Sequence, residues 1–158
     1  MSIHAESAKA IRKELKRAFP LTKFSVTSST YSGGNSVAVE WVDGPTSEEV
    51  GNVAYKYQYG HFNGMEDIYE HTNRRDDLPQ VKYVQVRRQV SEETMQCMFQ
   101  RLQKTHAYFD EVSSMDECND NLKNHWSSWT AREYVYRSLS NVNLTNGIVD
   151  EEQHAISM

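Results

Sequence analysis

Apolar positions recur along this chain in two rhythms, and the changes between them mark its elements. Over residues 6–18, Ala8, Ile11, Leu15 and Ala18 fall at helical spacing and form one stripe, with Lys9, Arg12, Lys13, Lys16 and Arg17 covering the rest of the surface. Pro20 ends that helix, because proline lacks an N–H and disfavours helical geometry at Phe19. Residues 23–30 then alternate, with Phe24 and Val26 on one side and Ser25, Thr27 and Ser29 on the other. Tyr31-Ser32-Gly33-Gly34-Asn35 reads as a turn, since glycine and asparagine accept the positive φ of tight hairpins. Residues 36–42 resume the alternation with Val37, Val39 and Trp41 on one face. Two one-sided strands predict a sheet with one buried and one wet face.

Asp43-Gly44 breaks the second strand, and Thr46 with Glu49 forms a capping-box pattern at the start of a second helix. Val50, Val53, Ala54 and Tyr57 give that helix its apolar face, and Gly60 is placed to end it as a C′ residue. Through residues 61–79 the rhythm fails. A short strand is expected at 67–71, followed by an exposed loop around Asn73-Arg74-Arg75-Asp76-Asp77. A clearer strand spans 80–89, where Val84, Val86 and Val90 alternate with Tyr83, Gln85 and Arg87. Ser91 caps a third helix with Met95, Met98, Phe99, Leu102 and Phe109 inward. A fourth helix after Ser114-Met115-Asp116 carries Leu122, Trp126 and Trp129, and Thr130-Ala131-Arg132-Glu133 predicts a bend or restart before Tyr134, Val135 and Leu139.

The predicted order is α-β-β-α-(β)-β-α-α. It implies an α+β fold of two layers, a small antiparallel sheet with helices on one face, plus a C-terminal helical extension. Residues 1–139 are expected to form a single domain, and the polar stretch 140–158 a frayed tail.

Composition narrows the function classes. The chain has 158 residues, a quarter of them charged, and a net charge of −5. That charge is uneven: residues 106–158 hold three basic and nine acidic groups, so this third repels phosphate backbones. No apolar run approaches the roughly 18–20 residues of a membrane span, and the polar first residues lack a secretory signal, so a cytoplasmic protein is expected. Cys97 and Cys118 have no metal-site spacing; Cys97, beside Met95, Met98 and Phe99, is expected to be a buried reduced thiol.

No nucleophile elbow, phosphate loop, dinucleotide fingerprint or metalloprotease motif is present, so no catalytic residue, metal or cofactor is assigned. His61, Asp67 and His71 are metal-ligand types, but their spacing fits no template and a surface role is expected. The more informative set is aromatic. Tyr55, Tyr59, Phe62 and Tyr69 cluster around the exit of the second helix, and Trp126 and Trp129 occupy the fourth; such residues anchor protein interfaces, including those with a second copy of the chain. The competing surface is basic: Lys9, Arg12, Lys13, Lys16 and Arg17 with Tyr83 and Arg87 provide cations and an aromatic of the kind that stack and hold nucleic acid.

Several motifs occur in order: FP at 19–20, KFSV at 23–26, YSGG at 31–34, V-x-V-x-W at 37–41, DGPT at 43–46 and G-x-F-x-G-M-x-D-x-Y at 60–69. Together they resemble the large polyvalent protein-associated domain family of phages, plasmids and other mobile elements, over about residues 8–90. The resemblance stops before the helical part from 91 onward and carries over no catalytic residues. It implies an accessory module that antagonises host defence, of the anti-CRISPR or anti-restriction type. Its partner would be a host defence protein or ribonucleoprotein complex, with DNA mimicry by the acidic C-terminal third as one means.

Overall fold

A computed structural model describes residues 2–105, 114–115 and 131–146. The chain divides into two compact units, residues 1–89 and 90–158.

The first unit contains α1 (Ile3–Ala18), β1 (Ser25–Tyr31), β2 (Gly34–Val42), α2 (Ser47–Ala54), a 3-10 turn (Tyr55–Tyr57), β3 (His61–Asn63), β4 (Ile68–Glu70) and β5 (Tyr83–Gln89). The main sheet has the order β1-β2-β5. β1 and β2 pair antiparallel around Ser32-Gly33, with Val26 opposite Val39. β5 pairs parallel to β2, with Val37 opposite Val84 and Trp41 opposite Arg88. The α+β class stands, but the sheet is mixed rather than antiparallel. Alternation reports which face a residue occupies and is blind to strand direction. Here residues 43–82, including α2, carry the chain back to the starting end of β2, which is the crossover that parallel pairing requires.

One face of this sheet is dry. Ala8, Ile11 and Leu15 of α1 and Val50 and Ala54 of α2 bury against Val26, Val37, Val39, Trp41 and Val84. Ser25, Thr27, Ser29, Gln85, Arg87 and Gln89 stay exposed on the other face. The capping box forms as its sequence pattern requires: Glu49 N–H donates to Thr46 Oγ1 at 3.1 Å, and Thr46 N–H to Glu49 Oε1 at 3.2 Å. α2 nevertheless stops at Ala54 and tightens into the 3-10 turn, so Gly60 is not its C′ residue.

That turn is tied to α1. Lys56 Nζ and the Tyr57 hydroxyl both donate to the Glu14 carboxylate, at 2.7 and 2.8 Å. Burial raises the Glu14 carboxyl, but the bonds from Lys56 and Tyr57 and the charges of Lys56 and Arg17 outweigh it and hold it below the usual carboxylate value. Burial, with Glu14 behind it, pushes the Tyr57 phenol up to about 12.

The second unit contains α3 (Glu92–Thr105) and α4 (Ala131–Ser138). Met95, Met98, Phe99 and Leu102 pack with Met115, Tyr134, Val135 and Leu139. α4 begins at the expected restart, and Arg132 grips Glu92 with two bonds of 2.7 and 2.9 Å. Cys97 is exposed, not buried: Met95, Met98, Phe99 and Leu102 fill the inward stripe, and position 97 falls on the far side of the helix. Within the stretch expected to fray, Val142 and Leu144 are buried. Phe109, Cys118, Leu122, Trp126 and Trp129 lie outside the described residues.

Candidate functional site

The stretch that showed no rhythm folds into a second, two-stranded sheet. β3 and β4 pair antiparallel with His61 opposite Glu70, Phe62 opposite Tyr69 and Asn63 opposite Ile68. Each strand has three residues, too few for an alternation to be visible. The turn between them is built by side chains: Asn63 Oδ1 accepts the Met65 N–H at 3.0 Å, and Asp67 takes a left-handed φ of 53°. His61 Nε2 lies 3.3 Å from Glu70 Oε2, and its Nδ1 lies 3.0 Å from Thr72 Oγ1.

An aromatic base seats this hairpin beside the main sheet. The Tyr59 ring stacks on His71, with centroids 5.0 Å apart and planes 9° off parallel, and meets the edge of Tyr69 at 5.7 Å. Tyr69 meets Tyr83 of β5 edge-on at 5.5 Å. The Tyr69 hydroxyl donates to the Lys82 carbonyl. Lys82 Nζ lies over the Tyr69 and Tyr83 rings, 5.1 and 5.7 Å from their centroids, and donates to the Gly33 carbonyl at 2.8 Å. The Gly33-Gly34 turn therefore does have a function in the fold: it anchors this lysine, and a side chain on Gly34 would meet the Lys82 stem. Gly60 provides the remaining fit, since a methyl group there would run into the Glu70 carbonyl and the Tyr69 ring.

Burial pushes the Tyr69 phenol up to about 12, helped by the neighbouring phenols of Tyr59 and Tyr83. Burial followed by the same two neighbours raises Tyr31 as well. A phenol whose folded value exceeds its unfolded value of 10.0 contributes stability that is full below 10.0 and is lost as pH rises through about 12. Spectrophotometric titration of tyrosinate should show Tyr57 and Tyr69 ionising near 12. In parallel, the urea midpoint should fall between pH 10 and 12, with Tyr57→Phe and Tyr69→Phe each removing one late-ionising phenol.

The hairpin also presents apolar side chains to solvent, with Phe62 on the face of its cross-strand partner Tyr69 and Ile68 on the other face. Phe62 is 52% exposed, Ile68 50% and Met65, at the tip, 99%. Of the aromatics expected to contact a partner, Phe62 is thus on the surface, while Tyr59 and Tyr69 are half-buried in the aromatic base. Tyr55 is exposed but sits at the end of α2, its ring laid over Gly51. Met65 and Ile68 join Phe62 on the surface, and the sequence signal for them is their apolar character in a stretch otherwise rich in turn residues. His61, Asp67 and His71 do not converge: the first pairs with Glu70, the second makes the turn and the third stacks on Tyr59. Among the described residues no cluster of three or more histidine, cysteine, aspartate or glutamate side chains is placed to hold a metal.

The basic surface is divided. Lys9, Lys13, Lys16 and Arg17 are exposed on the side of α1 turned away from its buried stripe. Arg12 joins them but spends one N–H on the Val26 carbonyl at 2.7 Å. Tyr83 and Arg87 lie on the opposite, open face of the sheet, because their neighbours Val84 and Arg88 register with the buried Val37 and Trp41. Arg87 is 3.5 Å from Glu40 there, and Tyr83 belongs to the aromatic base. The sheet separates the two halves of the expected nucleic-acid surface.

Among the described residues, no helix is long and apolar enough to cross a membrane. The family model described as large polyvalent protein associated domain 29 matches residues 3–97, more than half of the chain and the whole of the α1-to-β5 unit beyond its first residues. No curated protein and no solved structure matches.

Proposed function

The chain belongs to the large polyvalent protein associated domain 29 family, a domain linked to mobile elements, and from this we propose that it is an accessory protein that binds and inhibits a host defence complex. The inhibition is of the anti-CRISPR or anti-restriction type and works by protein–protein contact. The observation that carries the reading is the hairpin, where Phe62, Met65 and Ile68 stand out from a held aromatic base. Apolar groups on a supported element lose little conformational entropy on docking, and they gain from desolvation in a partner's pocket. Short charged side chains or glycines would suffice if the hairpin only had to close a loop.

The test is phage plating on a bacterial strain with an active defence system. Expression of the chain should restore plating. The combined variant Phe62→Ala, Met65→Ala, Ile68→Ala should lose that effect with an unchanged melting temperature, because it truncates only exposed side chains. Equal protection by the variant removes the hairpin from the mechanism. Lys9→Ala with Lys13→Ala should protect as the parent does; a loss there would instead support the second reading, a nucleic-acid-binding accessory protein acting through the exposed cations of α1.

A further inference from the structure

The foot of α1 forms a cleft of about 370 Å³ with the start of β1, within the size range of small-ligand sites. Three cations line it, Arg12, Lys16 and Lys23, and no carboxylate does. Arg12 is held in place by its bond to the Val26 carbonyl. Lys16 and Lys23 have no side-chain partner among the described residues. Like-charged groups gathered without a counter-charge repel one another, and a bound anion relieves that cost.

Most of the remaining lining is apolar. Phe24 forms a wall, its ring tilted against Phe19 at 6.1 Å and Trp41 at 5.6 Å, and Leu21 is 76% exposed. Thr22 also lines the cleft, with its side chain packed against Gly44. An arginine fork, two mobile ammonium groups and an aromatic wall match a phosphate joined to a flat, stackable group.

We infer that this cleft binds a nucleotide phosphate, with Arg12, Lys16 and Lys23 on the phosphate and Phe24 against the base. The inference stands apart from the hairpin. The cleft lies at the Ser25 end of β1 and the hairpin base at the Tyr31 end, a strand length of about 20 Å away. A free nucleotide and the 5′ end of a strand share this chemistry.

Amide spectra of the full chain, titrated with AMP, a 5′-phosphorylated oligothymidylate, its dephosphorylated form and phosphoserine, test the assignment. The amides of Thr22, Lys23 and Phe24 should shift saturably with AMP or with the phosphorylated strand. Binding of both indicates a free nucleotide; binding of the strand alone indicates a strand end. Lys16→Glu and Lys23→Glu should each weaken that binding about tenfold or more, with the remaining spectrum unchanged. Lys9→Glu, exposed on α1 but outside the cleft, should leave it unaltered. Three results would overturn the inference: silence of those amides with every probe, an equal loss in Lys9→Glu, or phosphoserine binding as tightly as AMP.

Discussion

Gly60→Ala should unseat the β3–β4 hairpin and abolish partner binding while the main sheet stays folded. The added methyl has no room: it meets the Glu70 carbonyl, which is backbone, and the Tyr69 ring at 2.7 Å. Backbone cannot rotate aside as a lysine stem can, so β4 must move. Overpacking of this kind costs about 1–3 kcal/mol, comparable to what holds a short two-stranded hairpin in place. Local detachment is therefore the expected response rather than global unfolding. Two measurements separate these outcomes. Hydrogen exchange should accelerate at residues 61–70 and remain slow in β1, β2 and β5. The Tyr69 phenol, freed from burial and from Tyr83, should titrate near its ordinary value of 10.0 instead of about 12. Slow exchange throughout, with Tyr69 still near 12, would show that the hairpin tolerates the methyl.

Arg88→Ala should be the most destabilising single substitution of a charged residue in the α1-to-β5 unit. Arg88 occupies the core face of β5 opposite Trp41, is 8% exposed, and donates to the Asp43 carbonyl from Nε and to the Gly44 carbonyl from Nη2, both at 3.3 Å. Those carbonyls belong to a pair of left-handed residues, Asp43 at φ 55° and Gly44 at φ 68°, that turn β2 into α2. The same turn receives the Trp41 indole N–H at the Pro45 carbonyl, 2.9 Å away. Alanine would strand the carbonyls and leave a cavity beside the indole. Hydrogen bonds from a charged donor are worth about 1.5–3 kcal/mol, so a loss of about 2–4 kcal/mol is expected in the urea midpoint. Arg88→Met retains the stem and should lose less, and Arg87→Ala, an exposed neighbour, should fall within about 0.5 kcal/mol of the parent.

These two residues also show where the chain could and could not be read. α1, β1, β2 and the Thr46 capping box were legible because each rests on a local signal. Ile11 and Leu15 recur at helical spacing, Val37, Val39 and Trp41 alternate, and Thr46 and Glu49 stand three apart. The direction of β5 was not, since Val84 and Val86 alternate identically in either sense and only the path of residues 43–82 decides it. Arg88 reads as one more surface cation until the register places it opposite Trp41. Gly60 looked like a helix terminator because glycine commonly plays that part. Its actual role, making room for the Glu70 carbonyl, depends on a residue ten positions on.

The candidate site was half legible for the same reason. Tyr59, Phe62 and Tyr69 announce themselves by chemistry, and they do gather at the hairpin. Which of them faces solvent is a matter of tertiary packing. Tyr69 packs against Tyr83 and Lys82, and the exposed positions fall to Phe62 on its own face of the hairpin, to Ile68 on the other and to Met65 at the tip. Tyr83 reads as a companion of the α1 cations because strand alternation gives its face relative to Arg87 and says nothing about the helix on the other side.

The most direct test of the central claim is an affinity pull-down from bacterial lysate at moderate salt, run side by side with the parent chain and the Phe62→Ala, Met65→Ala, Ile68→Ala variant. Retained material is identified by mass spectrometry. The account predicts a stoichiometric defence nuclease or its guide complex on the parent and its absence on the variant. Nucleic acid alone, released as salt rises, or a defence complex held equally by both, would contradict it.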